Sequence, residues 1–319
     1  MSNKFISWTI FILLCFIWGS SFILMKVSQR GLTASQIASL RIFSAALVFL
    51  PFAVFHITKL PRSKILTIIF AGIFGNLFPA FCFAVAILRI DSSLAGILNS
   101  LTPICVVIIA ILFFKDKIKT RKIVGVLTGF AGLCVLTLTQ KNISLDNFGY
   151  ALLIIAATIS YGLNVNLVAH YLKELNPIHI ATVSLGFMSI PAALILWRQG
   201  FFELDFTEPV IQWSIINASL LGIVASAIAT ILFYILVQKA GGLFASLVTY
   251  GIPFIALFWG FMDGESITLL EIVCLSIILF GVYLANRTDG KENNKPENIH
   301  ENIPGPVSKN QPTNNTMDT

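Results

Sequence analysis

Charge is what this sequence has least of. Its 319 residues carry 15 acidic and 21 basic side chains, 11% together, against about 25% in an ordinary soluble domain. With 56% of residues hydrophobic, a water-soluble fold of this length would have too little polar surface to cover itself. Acidic residues avoid the middle of every long apolar run, and Glu271 sits near the start of the last one. Carboxylates inside the membrane are the usual relays of proton pumps, so their absence favours a facilitator or an exchanger. No H-E-x-x-H helix and no paired intramembrane aspartates occur, which excludes the common membrane-embedded proteases, and no P-loop is present to use ATP directly. All five cysteines (Cys15, Cys82, Cys105, Cys134, Cys274) lie inside apolar runs without C-x-x-C spacing. They read as small buried hydrophobes, so no disulfide framework, metal site or cofactor is expected, and the chain does not read as an enzyme.

What the sequence does have is hydrophobic length. A run of about 20 apolar residues crosses the hydrocarbon core as a helix, and such runs are read at 7–26, 34–55, 65–88, 93–114, 121–140, 147–170, 178–197, 211–237, 242–262 and 267–286. The first passes through Trp18-Gly19-Ser20-Ser21 without a small-residue cleavage site, so it reads as a retained span and not a signal peptide. The expected fold is therefore all-α and integral to the membrane, with ten transmembrane helices. Lysine and arginine counts orient it. The segments on the N-terminal side of the bilayer hold eleven, including Lys115, Lys117, Lys119, Arg121 and Lys122, and the opposite ends hold five. Both termini are expected in the cytoplasm. The net charge of +6 is spread over these loops, which argues against a nucleic-acid partner. Residues 287–319 are rich in Asn, Pro, Lys and Glu. They read as a disordered cytoplasmic tail, with a partner-binding segment as the other reading.

The chain repeats itself. Shifted by 150 residues, 71–103 aligns without a gap on 221–253, matching Gly72 to Gly222, Ile73 to Ile223, Phe83 to Phe233, Ala95 to Ala245 and Pro103 to Pro253. One residue of slip then brings Asp116 to Glu265 and Gly132 to Gly281, while an offset of 143 matches Gly19 to Gly162, Ile37 to Ile180 and Ala38 to Ala181. Two halves are expected, 1–140 and 147–286, with five helices each. An odd number inverts the second half relative to the first, which is the construction of secondary transporters with a midplane site between repeats.

At this point the sequence resembles the EamA branch of the drug/metabolite transporter superfamily over residues 7–286. The carrying elements are Ile17-Trp18-Gly19-Ser20-Ser21-Phe22 with Lys26 following, Leu40-Arg41-Ile42-Phe43 followed by Ala45-Ala46, the prolines Pro103 and Pro253, and the turn Gly264-Glu265-Ser266-Ile267-Thr268. Two departures are visible. The first-half turn Lys115-Asp116-Lys117-Ile118-Lys119 keeps the acid without the glycine, and Ser184 stands where a second Arg41 would fall. The resemblance implies helices one to four and six to nine around a central cavity, with five and ten peripheral. It also implies export or exchange of small metabolites, often amino acids, across a bacterial inner membrane.

Candidate solute-binding residues are the polar groups at mid-span. Arg41, about 10 Å along its helix from the outer end, either meets an anionic solute group or is satisfied by backbone carbonyls and a neighbouring helix end. Trp18, Ser20 and Ser21 in the first span sit at the depth of Tyr161, Asn164 and Asn166 in the sixth; they line a cavity or glue helices together. Asn76, Asn99, Ser100, Thr102, Ser226, Thr230, Thr249 and Tyr250 extend the belt. Before Pro103 and Pro253, missing N–H groups free carbonyls for a solute, or merely kink a packed helix. Trp18 and Trp259 form an aromatic wall or pack, and His170 and His179 read as loop histidines. The leading expectation is alternating access for small polar metabolites, most simply by a monomer in the lipid bilayer. A nucleotide-sugar or lipid-linked carrier, a channel-like pore, and a membrane scaffold working through its tail are the alternatives.

Overall fold

In the computed structural model, residues 3–90, 92–139, 148–262 and 268–287 are described. The acidic turn at 264–267, the connection 140–147 and the tail from 288 onward lie outside them. Every regular element among the described residues is helical. The first half contains α1 (Asn3–Ser28), α2 (Ala34–Ile57), α3 (Arg62–Gly72), α4 (Phe78–Ala86), α5 (Ser92–Asn99), α6 (Thr102–Phe114) and α7 (Thr120–Thr139). The second contains α8 (Phe148–Tyr171), α9 (Pro177–Arg198), α10 (Pro209–Gly222), α11 (Ala229–Ala240), α12 (Gly242–Ser246), α13 (Val248–Met262) and α14 (Leu269–Asn286). Eight helical runs are long and apolar enough to cross a bilayer, and Thr102–Phe114 is a shorter apolar helix. This is a multi-pass membrane protein.

Local chemistry sets several helix starts. Thr33 caps α2: its hydroxyl accepts from the Gln36 N–H while the Gln36 side chain accepts from the Thr33 N–H. Gln36 also donates through Nε2 to the Gln199 carbonyl at 2.9 Å, so one residue closes a cap and ties α2 to the end of α9. Asn176 caps α9 ahead of Pro177. Thr268 and Glu271 form the same reciprocal pair at α14, which accounts for the acid there: the carboxylate accepts from the Thr268 N–H at 2.7 Å. Substituting Thr33→Ala is expected to cost about 1 kcal/mol, read as a small fall in the melting temperature of the purified protein.

Four runs read as single spans are interrupted. The runs 65–88 and 211–237 each contain a wide π turn, at Ile73–Leu77 between α3 and α4 and at Ile223–Ile228 between α10 and α11. These turns start 150 residues apart, at the two isoleucines matched in the repeat. The run 93–114 breaks between Asn99 and Thr102. Pro103 has no N–H to offer the Asn99 carbonyl, and the Thr102 hydroxyl donates to it instead, at 2.6 Å. In the second half the break falls at Leu247, with Pro253 inside α13. The two prolines are thus matched in sequence but not in effect.

Helix packing relies on small residues, since lipid gives apolar helices no hydrophobic reason to associate. A Cβ added to Gly281 would lie 2.7 Å from both the Gly125 carbonyl oxygen and the Gly129 Cα, so α7 and α14 meet backbone to backbone. They pack chiefly on each other, away from the cavity. α2 and α9 run antiparallel: Gln36 meets Gln199 at one end and the His56 ring meets the His179 ring at the other. Between these ends Ala38 and Ile42 pack with Met188 and Ala192.

Candidate functional site

The helices enclose a cavity of about 120 Å³. Into it face Trp18, Ser21, Arg41, Asn76, Asn99, Tyr161, Asn164 and Thr249, eight of the nine candidate residues. Their positions are built by turns and by hydrogen bonds between elements. Trp18, on α1, donates its indole N–H to the Ala225 carbonyl at 3.0 Å. That carbonyl belongs to the second π turn, where the Ala229 N–H goes to the Val224 and Ser226 carbonyls. Arg41, on α2, reaches the same turn and donates from Nε to the Ser226 Oγ at 2.6 Å. Asn76 sits in the first π turn and accepts at Oδ1 from the Thr230 hydroxyl at 3.2 Å. The Asn164 amide lies against Gly75, where a Cβ would fall 2.6 Å from its Nδ2, and accepts from the Tyr234 hydroxyl at 3.4 Å.

Charge in the cavity is confined to one residue. Arg41 is the charged group among the described lining residues, and no described acidic side chain comes within salt-bridge distance of it. Tyr161 lines the same cavity. Asn99 presents an Oδ1 that has no hydrogen-bond partner among the described residues. A guanidinium is a planar set of five donors with no acceptor. The cavity therefore offers strong donors at Arg41, between walls of aromatic and small residues.

Tyr250 is the exception. It is wholly buried outside the cavity, its ring against Gly129 of α7 and its hydroxyl donating to the Val126 carbonyl at 2.9 Å. Thr249 and Tyr250 are neighbours on one helix, so they point about 100° apart; one meets the cavity and the other a packing interface. Tyr250→Phe is expected to lose about 1 kcal/mol of stability with solute affinity unchanged, measured by thermal melting beside uptake kinetics.

Other belt residues divide the same way. Asn166 is buried and donates to the Val106 and Gly162 carbonyls, fastening α8 to α6. Ser20 accepts from the Trp259 indole at 2.9 Å, which fastens α1 to α13. His170 is not a bare loop histidine: it stacks on Phe114 and its Nε2 lies 3.1 Å from both Asp116 oxygens, while His179 touches His56. No group of three metal-ligating side chains gathers among the described residues.

Polarity could not reveal the apolar lining: Met25, Gly75, Ala80, Phe83, Ala225, Phe233 and Ile252, with the phenol Tyr234 beside them. The repeat offsets could have. At 143, Trp18 pairs with Tyr161 and Ser21 with Asn164. At 150, Gly75 pairs with Ala225, Ala80 with Thr230, Phe83 with Phe233, Asn99 with Thr249 and Thr102 with Ile252, and every member faces the cavity. Met25, Arg41, Asn76 and Tyr234 break the pairing, because their counterparts Val168, Ser184, Ser226 and Ala84 are absent from the lining.

The family model described as the EamA-like transporter family matches residues 6–138 and again 148–287. An uncharacterized transporter of Archaeoglobus fulgidus is 27% identical over 286 residues, covering 88% of this chain and 98% of that one. Protein PagO of Salmonella typhimurium is 25% identical over 283 residues, covering 86% and 91%. The uncharacterized inner membrane transporter YedA of Escherichia coli is 23% identical over 281 residues, covering 84% and 86%. A solved crystal structure superposes with a TM-score of 0.67 over 89% of this chain and 97% of that chain, at 15% identity, a likeness of fold.

Proposed function

The chain belongs to the EamA-like transporter family and is a membrane transporter, and from that premise we propose that it moves small carboxylate-bearing metabolites, amino acids foremost, by alternating access. The carrying observation is Arg41: a cation lining the cavity without an acidic partner among the described residues. A charge in the hydrocarbon region is costly unless something meets it, and a solute carboxylate is the partner the site lacks.

Size supports a small cargo. A cavity of about 150 Å³ takes up benzene, so the 120 Å³ here suits a solute of about that many atoms. Nucleotide sugars and lipid-linked sugars are far larger and carry more negative charge than one arginine neutralises.

The mechanism rests on an inverted pair of five-helix repeats, 1–140 and 147–286, crossing the membrane ten times with both termini cytoplasmic, and working as a monomer in the inner membrane. In this reading α5 with α6, and α7, complete the ten spans. The paired lining residues support it, because a cavity on a pseudo-two-fold axis is built by equivalent positions of both halves. So do the helix crossings. A Cβ on Gly19 would meet Ile255 at 2.6 Å and one on Gly162 would meet Cys105 at 3.1 Å, which are equivalent pairs at the two offsets.

The test is counterflow of labelled L-alanine, L-serine and L-threonine into proteoliposomes, with and without a pH gradient. Saturable uptake, inhibited by propionate and insensitive to the gradient, is expected. Folded protein that carries none of these, or whose uptake propionate does not inhibit, would sink the carboxylate reading.

A further inference from the structure

The anion-binding group and the residue that aims it come from different halves of the chain. Arg41 projects from α2, and the hydroxyl that accepts its Nε proton belongs to Ser226 in the π turn between α10 and α11. Ser226 is buried and does not itself line the cavity. A bond at Nε fixes the plane of a guanidinium and leaves the outer Nη edge free, and that edge receives a carboxylate through two parallel hydrogen bonds. The turn that holds Ser226 is tethered a second time, through the Trp18 indole on the Ala225 carbonyl. Its extra residue rotates the succeeding part of the helix by about 100° relative to an unbroken α-helix, so the direction of Ser226 depends on the turn being wide. Gly222 immediately precedes that turn, and its Cα packs directly on the Arg41 and Ser44 region of α2, with no room for a side chain between them.

We propose that Ser226 is the positioning residue of the carboxylate subsite, and that its bond to Arg41 ties solute affinity to the conformer in which α2 lies against the second π turn. This rests on the carboxylate reading of Arg41 given above. Arg41 and Ser226 sit on opposite sides of a boundary across which the halves rock, so movement that parts α2 from the turn releases the guanidinium. A free arginine side chain samples many rotamers and must be ordered again for each binding event. Affinity is then high in the apposed state and lower in the other, and one hydroxyl makes the difference. Ser184, the counterpart of Arg41, carries no charge, so the switch exists in one half alone.

The experiment is counterflow in proteoliposomes with labelled L-alanine, with propionate and L-alaninamide as competitors. Propionate keeps the carboxylate and L-alaninamide lacks it. Ser226→Ala is expected to raise the KM for L-alanine roughly tenfold, the usual weight of a hydrogen bond to a charged group, with kcat within about twofold. Propionate inhibition should weaken in parallel, and L-alaninamide inhibition should not change. Ser226→Thr, which keeps the hydroxyl, should restore KM to within about twofold. In an Arg41→Lys background, where no guanidinium remains to be aimed, Ser226→Ala should add nothing. An unchanged KM in Ser226→Ala, an equal loss toward L-alaninamide, or a failure of threonine to restore affinity overturns the proposal. If Arg41→Lys impairs propionate inhibition and Ser226→Ala does not, this inference alone falls. If wild-type protein shows no dependence on the carboxylate, both it and the carboxylate reading fall.

Discussion

Replacing Arg41 with glutamine is expected to lower L-alanine counterflow about a hundredfold at subsaturating solute, the scale of losing one side of a buried charged pair. Glutamine keeps some of the length and hydrogen-bonding capacity but removes the charge. The loss should appear mainly in KM, because the cation meets the carboxylate in the bound ground state, and only interactions that grow in the transition state change kcat selectively. L-alaninamide inhibition should survive, since nothing in it needs the guanidinium. The unliganded variant should be no less stable than wild type, because Arg41→Gln removes a desolvated charge that no described acid balances. Equal stability with a hundredfold loss of affinity is the signature of a binding residue. Loss of folding together with loss of uptake would instead mark Arg41 as a structural tie to Ser226.

The second large effect is expected at Gly222. An added Cβ there would overlap the Arg41 carbonyl oxygen and the Ser44 hydroxyl, and backbone on α2 cannot step aside as a flexible side chain would. Gly222→Val therefore forces α2 and the second π turn apart. Overpacking of this kind costs about 3 kcal/mol at the upper end of its usual range, read as a fall of roughly 5–10 °C in melting temperature. The same displacement moves the turn that aims Arg41, and a shift of about 1 Å at a binding group is enough to cost two orders of magnitude in rate. Gly96→Ala is the control: no described neighbour lies within 4 Å of a Cβ added there, inside α5. Alanine there should gain about 0.5–1 kcal/mol from helix propensity. A valine variant at Gly222 with wild-type melting and uptake would contradict the packing of α2 on the turn.

The polar half of the cavity lining was legible because lipid is a demanding solvent. Asn, Arg, Ser and Thr in the middle of a membrane-spanning run are expensive unless they face a partner or a cavity, so depth and polarity together pointed to Trp18, Ser21, Arg41, Asn76, Asn99, Tyr161, Asn164 and Thr249. Apolar lining was hidden for the converse reason. Phe83, Phe233 and Ile252 face the cavity, while Phe258 and Phe261 are exposed at the surface, and both surroundings accept the same residue types. The offset of 150 that matched Phe83 to Phe233 was the available signal. Tyr250 went astray because hydropathy gives the depth of a residue along a long apolar helix but not its rotation about the axis.

The π turns show the limit most clearly. Nothing in 65–88 or 211–237 marks an extra residue in a turn. A π turn costs hydrogen-bond geometry that is recovered only when neighbours take up the displaced groups, and Trp18, which does so at the second turn, is about 200 residues away in the chain. By itself, then, the sequence determined a helical membrane protein, its two related halves and the depth of its polar belt, because burial in lipid constrains every residue through its own transfer energy. Only the tertiary structure decided which faces enclose the cavity, which proline breaks its helix, and what aims Arg41, because those depend on contacts between helices that no local property of the chain records.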